Sequence, residues 1–226
     1  MSNKLIKAVA GCEKVCHQVH LPIQAGDDAV LKRMNRRYTG KDYMKLVKRI
    51  RKALNNQILN PKSQTNSKFK IQNSKLNAWN PPPAITTDII VGFPGETKRQ
   101  FNNTAELMRQ VKFDMAYIAR YSPRPGTAAE KLADDVPPEE KKRREEELMK
   151  ILRKTALANN KKYLGRPVEV LVEERSKKGE WRGKTRTGKS VRIKNEELRM
   201  KNIKGKFIKV KITKAEDFGL AGEIIN

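Results

Sequence analysis

Cysteine, tryptophan and histidine are scarce, with two of each in 226 residues. Two thiols cannot build a disulfide scaffold, and their scarcity fits a reducing, cytoplasmic setting. No apolar run approaches the ~20 residues of a membrane span, and the opening Met1-Ser-Asn-Lys-Leu lacks a signal-peptide core. Acidic residues are also few. Asp and Glu number 25 against 50 Lys and Arg, for a net charge of +25. With 37% hydrophobic residues the chain can still bury a core, so wholesale disorder is excluded. A soluble, strongly cationic protein remains, and such charge points to a polyanionic partner, nucleic acid above all.

The charge is uneven. Residues 1–54 carry a net +9, residues 84–164 only +4, and residues 165–226 +8. The block 138–154 mixes both signs and reads as a solvated helix. Residues 55–83 contain no acid, seven Asn, three Gln and a closing Pro-Pro-Pro, and read as a low-complexity insertion.

Periodicity then assigns the elements. Val15–Ile23 alternates as a buried strand. Asp27 or Asp28 caps a short helix bearing Val30, Leu31 and Met34. Thr39 caps a second helix, with Asp42 three residues on. The β-branched run 84–91 ends in Gly92-Phe-Pro-Gly-Glu96, and Thr97 with Gln100 forms a capping box before a helix buried through Phe101, Thr104, Ala105, Met108 and Val111. Residues 115–121 give a further strand, and Pro137-Pro138 opens a long helix. Strand–turn–helix units in series predict an α/β fold with parallel strands. Beyond Gly165 the period drops to two, with strands expected at 167–174, 180–187, 190–194, 206–215 and 220–225. Five short strands predict a small all-β, OB-like barrel. The domain boundary falls at 164, giving domains 1–164 and 165–226.

Among chemical motifs, Cys12-x3-Cys16 falls one thiolate short of the C-x3-C-x2-C set of a radical-SAM cluster, because residue 19 is Val19. Cys16 is expected as a buried inert thiol, so no metal site is assigned. His17 and His20 lie on opposite faces of a strand and read as structural. Ligands of parallel βα folds bind at the carboxyl ends of the strands, which places Gln24, Gly92, Glu96, Arg120 and Pro123 on one rim. In the last domain, Arg182, Lys184 and Arg186 alternate onto one strand face. With Lys189 and Arg192 they form a candidate phosphate-contacting set.

Several stretches together carry a resemblance: His20-Leu-Pro-Ile-Gln-Ala-Gly26, Leu31-Lys-Arg-Met-Asn-Arg-Arg-Tyr-Thr39, Thr87-Asp-Ile-Ile-Val-Gly-Phe-Pro-Gly-Glu-Thr97, Tyr121-Ser-Pro-Arg-Pro-Gly-Thr127 and Asp134-Asp-Val-Pro-Pro-Glu-Glu140. They resemble the radical-SAM methylthiotransferases. The nearest subgroup is the tRNA enzymes that make 2-methylthio-N6-isopentenyladenosine beside the anticodon, and the basic module resembles their TRAM domain. Ala25 departs from a Ser common in the family, and segment 55–83 interrupts it.

The resemblance implies the C-terminal half of a radical-SAM partial (β/α) barrel followed by TRAM, in an N-terminally truncated chain. It further implies SAM and [4Fe–4S] clusters as the family's cofactors, with the cluster ligands absent from this chain, which alone would be inactive. The implied partners are the tRNA anticodon stem-loop and a separately supplied N-terminal half, with no membrane. Gln24, Gly92, Glu96, Arg120 and Pro123 would then lie near SAM. Alternatives are a methylthiotransferase for threonylcarbamoyl-adenosine tRNA or for a ribosomal protein, and a non-catalytic tRNA-binding module.

Overall fold

The structure is a computed structural model that describes residues 1–12, 14–59, 81–177, 179–194 and 202–225. Most of the expected insertion at 55–83 lies outside the described residues; 55–59 continue a helix and 81–83 lead into a strand.

The amino-terminal elements are α1 (Asn3–Gly11), β1 (Gln18–His20), α2 (Asp28–Arg33), α3 (Gly40–Leu59), β2 (Ala84–Val91), α4 (Lys98–Val111), β3 (Met115–Arg120) and α5 (Pro138–Lys161). Local chemistry sets the helix starts. Asp27 Oδ1 accepts the Ala29 and Val30 N–H groups at 3.0 and 3.2 Å, stopping the first turn of α2 from fraying. Thr39 and Asp42 exchange a reciprocal pair of bonds ahead of α3, and Thr97 and Gln100 do the same ahead of α4. Helix α1, capped by Ser2, has no counterpart among the elements expected from the sequence; its Ile6 and Ala10 are buried in the core that includes α3.

The three strands form a parallel sheet in the order β1–β2–β3. Strand β1 is shorter than the nine residues expected. Its path resumes only at Gln24, which bridges to Ile89. Cys16 therefore precedes the strand and is exposed, which corrects the buried-thiol expectation. One sheet face, through Ile85, Ile89 and Val91, packs with Phe101, Met108, Phe113, Leu148 and Leu152. Each such side chain contributes roughly 1.5–3 kcal/mol on burial. The opposite face carries His20, Thr86, Asp88 and Tyr117, and no helix of the described residues covers His20, Asp88 or Tyr117.

The last domain comprises β4 (Pro167–Arg175), β5 (Trp181–Thr185), β6 (Ser190–Lys194), β7 (Phe207–Glu216) and β8 (Gly219–Ile224). They close into a barrel ordered β4–β5–β6–β8–β7 around Val170, Val191, Ile193, Val210, Ile212 and Leu220. The observed strands start and end within two residues of those read from the sequence. The architecture is thus mixed α/β with a parallel sheet and a closed five-stranded barrel.

The barrel is tied to the sheet by polar contacts. Asp114, just before β3, accepts Lys189 Nζ at 2.6 Å, with both side chains about nine-tenths buried. Its Oδ2 also accepts the Ile85 N–H at 2.9 Å, and Oδ1 meets Asn159 of α5 at 3.3 Å. Asn160, buried, donates to the Glu216 and Asp217 carbonyls, and the His17 N–H donates to the Arg186 carbonyl at 2.8 Å. Removing one partner of a buried pair leaves an uncompensated charge and costs about 3–5 kcal/mol, whereas removing both is far milder. Asp114→Ala should therefore lower stability in urea unfolding by that order, and Asp114→Ala with Lys189→Met should recover a large part of it. A loss below ~1 kcal/mol in the single variant contradicts this role for Asp114.

Candidate functional site

Two surfaces emerge from this frame: the carboxyl rim of the sheet and the basic side of the barrel. At the rim, Gln24 follows β1, Gly92 follows β2 and Arg120 ends β3, so adjacent strands bring the three together. Gln24 adopts a positive φ of 72°, its N–H donates to the Asp88 carbonyl, and its carbonyl accepts the Ile90 N–H. Arg120 is half exposed and pairs with Glu145 at 3.3 Å. Pro123 is exposed on the loop beyond.

Glu96 differs from its neighbours. It is 3% exposed and its Oε2 accepts the Gly92 N–H at 2.6 Å and Arg144 Nη1 at 2.8 Å. Burial pushes its carboxyl above the usual range, opposed by the Gly92 N–H and by Arg144. Arg144 also donates to the Glu96 carbonyl and to Glu140. Oε2 thus holds the Gly92–Glu96 turn against α5, while the buried Oε1 has no hydrogen-bond partner among the described residues.

One turn earlier on α5, Lys141 is 5% exposed and donates to Asp134 at 2.6 Å and to the Tyr121 carbonyl. The mixed charge of this stretch predicts a solvated helix. Lys141 and Arg144 correct that expectation, because their aliphatic stems lie in the protein and their heads meet acids from the rim loops.

The Lys141 stem runs beneath Gly92, whose φ is +70°; a Cβ there would meet Lys141 Cγ at 2.4 Å. At Gly126, φ is +79° but nothing lies within 4 Å of a Cβ. Both alanine variants carry the left-handed backbone cost of roughly 1–3 kcal/mol. Gly92→Ala must in addition displace a lysine pinned at its far end. Urea midpoints should fall further for Gly92→Ala than for Gly126→Ala, and equal losses would mean the Lys141 contact is soft.

On the barrel, Arg182, Lys184 and Arg186 are exposed. Arg182 and Lys184 have carboxylate partners, Glu174 at 4.0 Å and Glu173 at 3.8 Å, and the half-exposed Arg192 pairs with Glu216 at 2.5 Å. Solvated pairs of this kind contribute about 0–1 kcal/mol, so a phosphate can replace the carboxylate at little cost. Arg182, Lys184 and Arg192 border a groove of about 850 Å³ with Arg153 and Phe218. Lys189 stands apart from them, turned inward onto Asp114.

A second cleft, of about 510 Å³, lies between sheet and barrel and shares Lys184, Ser190 and Phe218 with the first. Its sheet side includes His20, to which the sequence alone gives a structural role. His20 is exposed on the open face, with Nδ1 2.9 Å from Thr86 Oγ1 and Nε2 3.3 Å from Asp88 Oδ2. The available signal is the i, i+2 spacing of Thr86 and Asp88, which puts both on one strand face.

Residues 161–225 match the family model described as TRAM domain. Across its full length the chain is 39% identical to the tRNA-2-methylthio-N(6)-dimethylallyladenosine synthase of Clostridium novyi (strain NT), covering 44% of that protein. It is 38% identical to proteins of the same name from Clostridium botulinum (strain Langeland / NCTC 10281 / Type F), covering 44%, and Caldicellulosiruptor saccharolyticus, covering 42%. The chain is a homologue of these synthases. It spans less than half the length of these curated relatives, and it carries a TRAM domain at its carboxyl end. No helix of the described residues is long and apolar enough to cross a membrane.

The cofactors implied by the homologues can be tested against these residues. Cys12 and Cys16, both exposed, are the sequence's only thiols, and a radical-SAM [4Fe–4S] cluster takes three. Among the described residues no group of three His, Cys, Asp or Glu could hold a metal. The two thiols are one fewer than that set.

Proposed function

We propose that this chain is the tRNA-contacting portion of a cytoplasmic methylthiotransferase that acts on N6-dimethylallyladenosine beside the anticodon. In this reading the parallel sheet is the second half of a radical-SAM barrel, with the domain boundary at 164, and the cluster thiolates come from sequence outside these 226 residues. The relatives' name supports the dimethylallyl substrate over threonylcarbamoyl-adenosine or a ribosomal protein.

The observation that carries the reading is the exposed basic strip of the barrel. Arg182 and Lys184 alternate outward from β5, and Arg192 faces the same groove from β6. The loose ion pairs of Arg182 and Lys184 make these two exchangeable phosphate ligands, while Arg192 is held more closely by Glu216. Arg186 extends the strip at the end of β5. Lys189 acts through Asp114, setting the angle at which the strip meets the sheet. At the rim, Gln24, Gly92, Arg120 and Pro123 are proposed to border SAM. Glu96 serves there as a positioning residue, because its carboxylate shapes the Gly92 turn from beneath.

Filter binding of an anticodon stem-loop RNA across a salt series tests the reading. The logarithm of the association constant should fall steeply and linearly with the logarithm of salt concentration. Arg182→Ala and Lys184→Ala should each reduce the slope by about 1. A flat salt response, or slopes untouched by both substitutions, would remove the support for RNA and leave a protein substrate as the better reading.

A further inference from the structure

The cleft between sheet and barrel combines features that the basic strip alone does not explain. Tyr117 projects from β3 onto the open sheet face and is 63% exposed. The His20 ring meets it edge-on, 6.3 Å between centroids at 67°. Phe218, in the tight turn between β7 and β8, is 39% exposed, with the Arg153 guanidinium 5.7 Å from its ring centre. Both rings line the same cleft, together with Gln18, Thr86 and Lys184. Two large exposed aromatic side chains brought to one cleft mark it as a candidate ligand site.

The occupant can be read from the lining. At about 510 Å³ the cleft lies within the range of small-ligand sites. Its walls offer the Tyr117 and Phe218 rings, its sheet side includes His20 and Thr86, hydrogen-bonded to each other at 2.9 Å, and Lys184 stands where it joins the barrel groove. Aromatic faces beside a cationic track are the means by which proteins hold unstacked bases of single-stranded RNA. A flat heterocycle with a trailing phosphate matches the two rings and the Lys184 ammonium; an apolar peptide would match the rings and offer Lys184 no anion.

The cleft is also separate from the carboxyl rim. It includes Gln18, Ala84 and Met115, the first residues of β1, β2 and β3, and so lies toward the amino ends of the strands. From Tyr117 to Arg120 is three residues, about 10 Å along a strand.

We propose that this interdomain cleft holds one unstacked nucleobase of a single-stranded RNA loop, stacked on Tyr117 and flanked by Phe218, with Lys184 meeting its phosphate. The base held here is a neighbour of the one presented to the rim, so the cleft anchors the loop while the rim acts. The inference rests on the RNA reading of the barrel.

The test uses the full 226-residue chain and stem-loop RNAs carrying 2-aminopurine at each loop position in turn. Stacking quenches 2-aminopurine, so binding should quench it strongly at one position. Tyr117→Ala should abolish that quenching and weaken affinity about 5- to 100-fold. The salt slope should stay unchanged, because the ring meets no phosphate. Tyr117→Phe should behave as the parent chain. Phe218→Ala should reduce quenching at the same position, a second readout should Tyr117→Ala fold poorly. A parent chain that binds the RNA with a steep salt slope, yet quenches at no position or is indifferent to both alanine variants, overturns the cleft and leaves the RNA reading standing. A parent chain that does not bind the RNA overturns both.

Discussion

The contacts that orient the barrel against the sheet centre on one carboxylate. Asp114 sits where α4 has ended and β3 begins, and its two oxygens reach three directions: the Ile85 backbone of β2, Asn159 of α5 and Lys189 of the barrel. Hydrogen bonds to charged groups contribute about 1.5–3 kcal/mol each, and the penalty for orphaning a buried ammonium exceeds that. A barrel attached by α5 alone could swing about the helix end. With Lys189 held by Asp114 and the His17 N–H bonded to Arg186, its basic side is fixed beside the open sheet face. The cleft between them follows from that orientation.

A second set of buried charges acts at the other end of the sheet. Arg144 and Lys141 reach from α5 to Glu96 and Asp134, and between them they fix the turn after β2 and the loop after β3. The same helix therefore carries the rim at its amino end and the barrel at its carboxyl end. The ion pairs on the barrel surface are of another kind. Arg182 and Lys184 are half in water, their carboxylate partners are loosely held, and the energy at stake is small. Buried pairs hold this molecule in shape, and exposed pairs leave its basic strip free to exchange partners.

Local features are legible in the sequence. The Thr97–Gln100 box, the β-branched run at 84–91 and the period-two segments of the barrel each carry their signal within a few residues, and each forms the element expected. Contacts between distant residues are not legible. Lys141 and Arg144 stand in a run of mixed charge that reads as solvent-facing, and the partner that buries Arg144 is 48 residues away in Glu96. Lys189 reads as part of the strip because it follows Arg182, Lys184 and Arg186 closely. The turn through Gly188 reverses the chain there and sends it inward. Cys16 reads as buried because the apolar alternation begins before the strand does, and β1 starts two residues later, at Gln18. The role of His20 is hidden because the residues beside it, Thr86 and Asp88, lie on another strand.

With barrel and sheet held in this orientation, one RNA loop touches the basic strip and the open sheet face at once. Photo-crosslinking of an anticodon stem-loop bearing 4-thiouridine in its loop, with adducts mapped by mass spectrometry, tests this most directly. Adducts on peptides containing Lys184 or Phe218 and also on the β3 peptide containing Tyr117 are the predicted result. Adducts confined to the barrel, with none on β1 to β3, would contradict it.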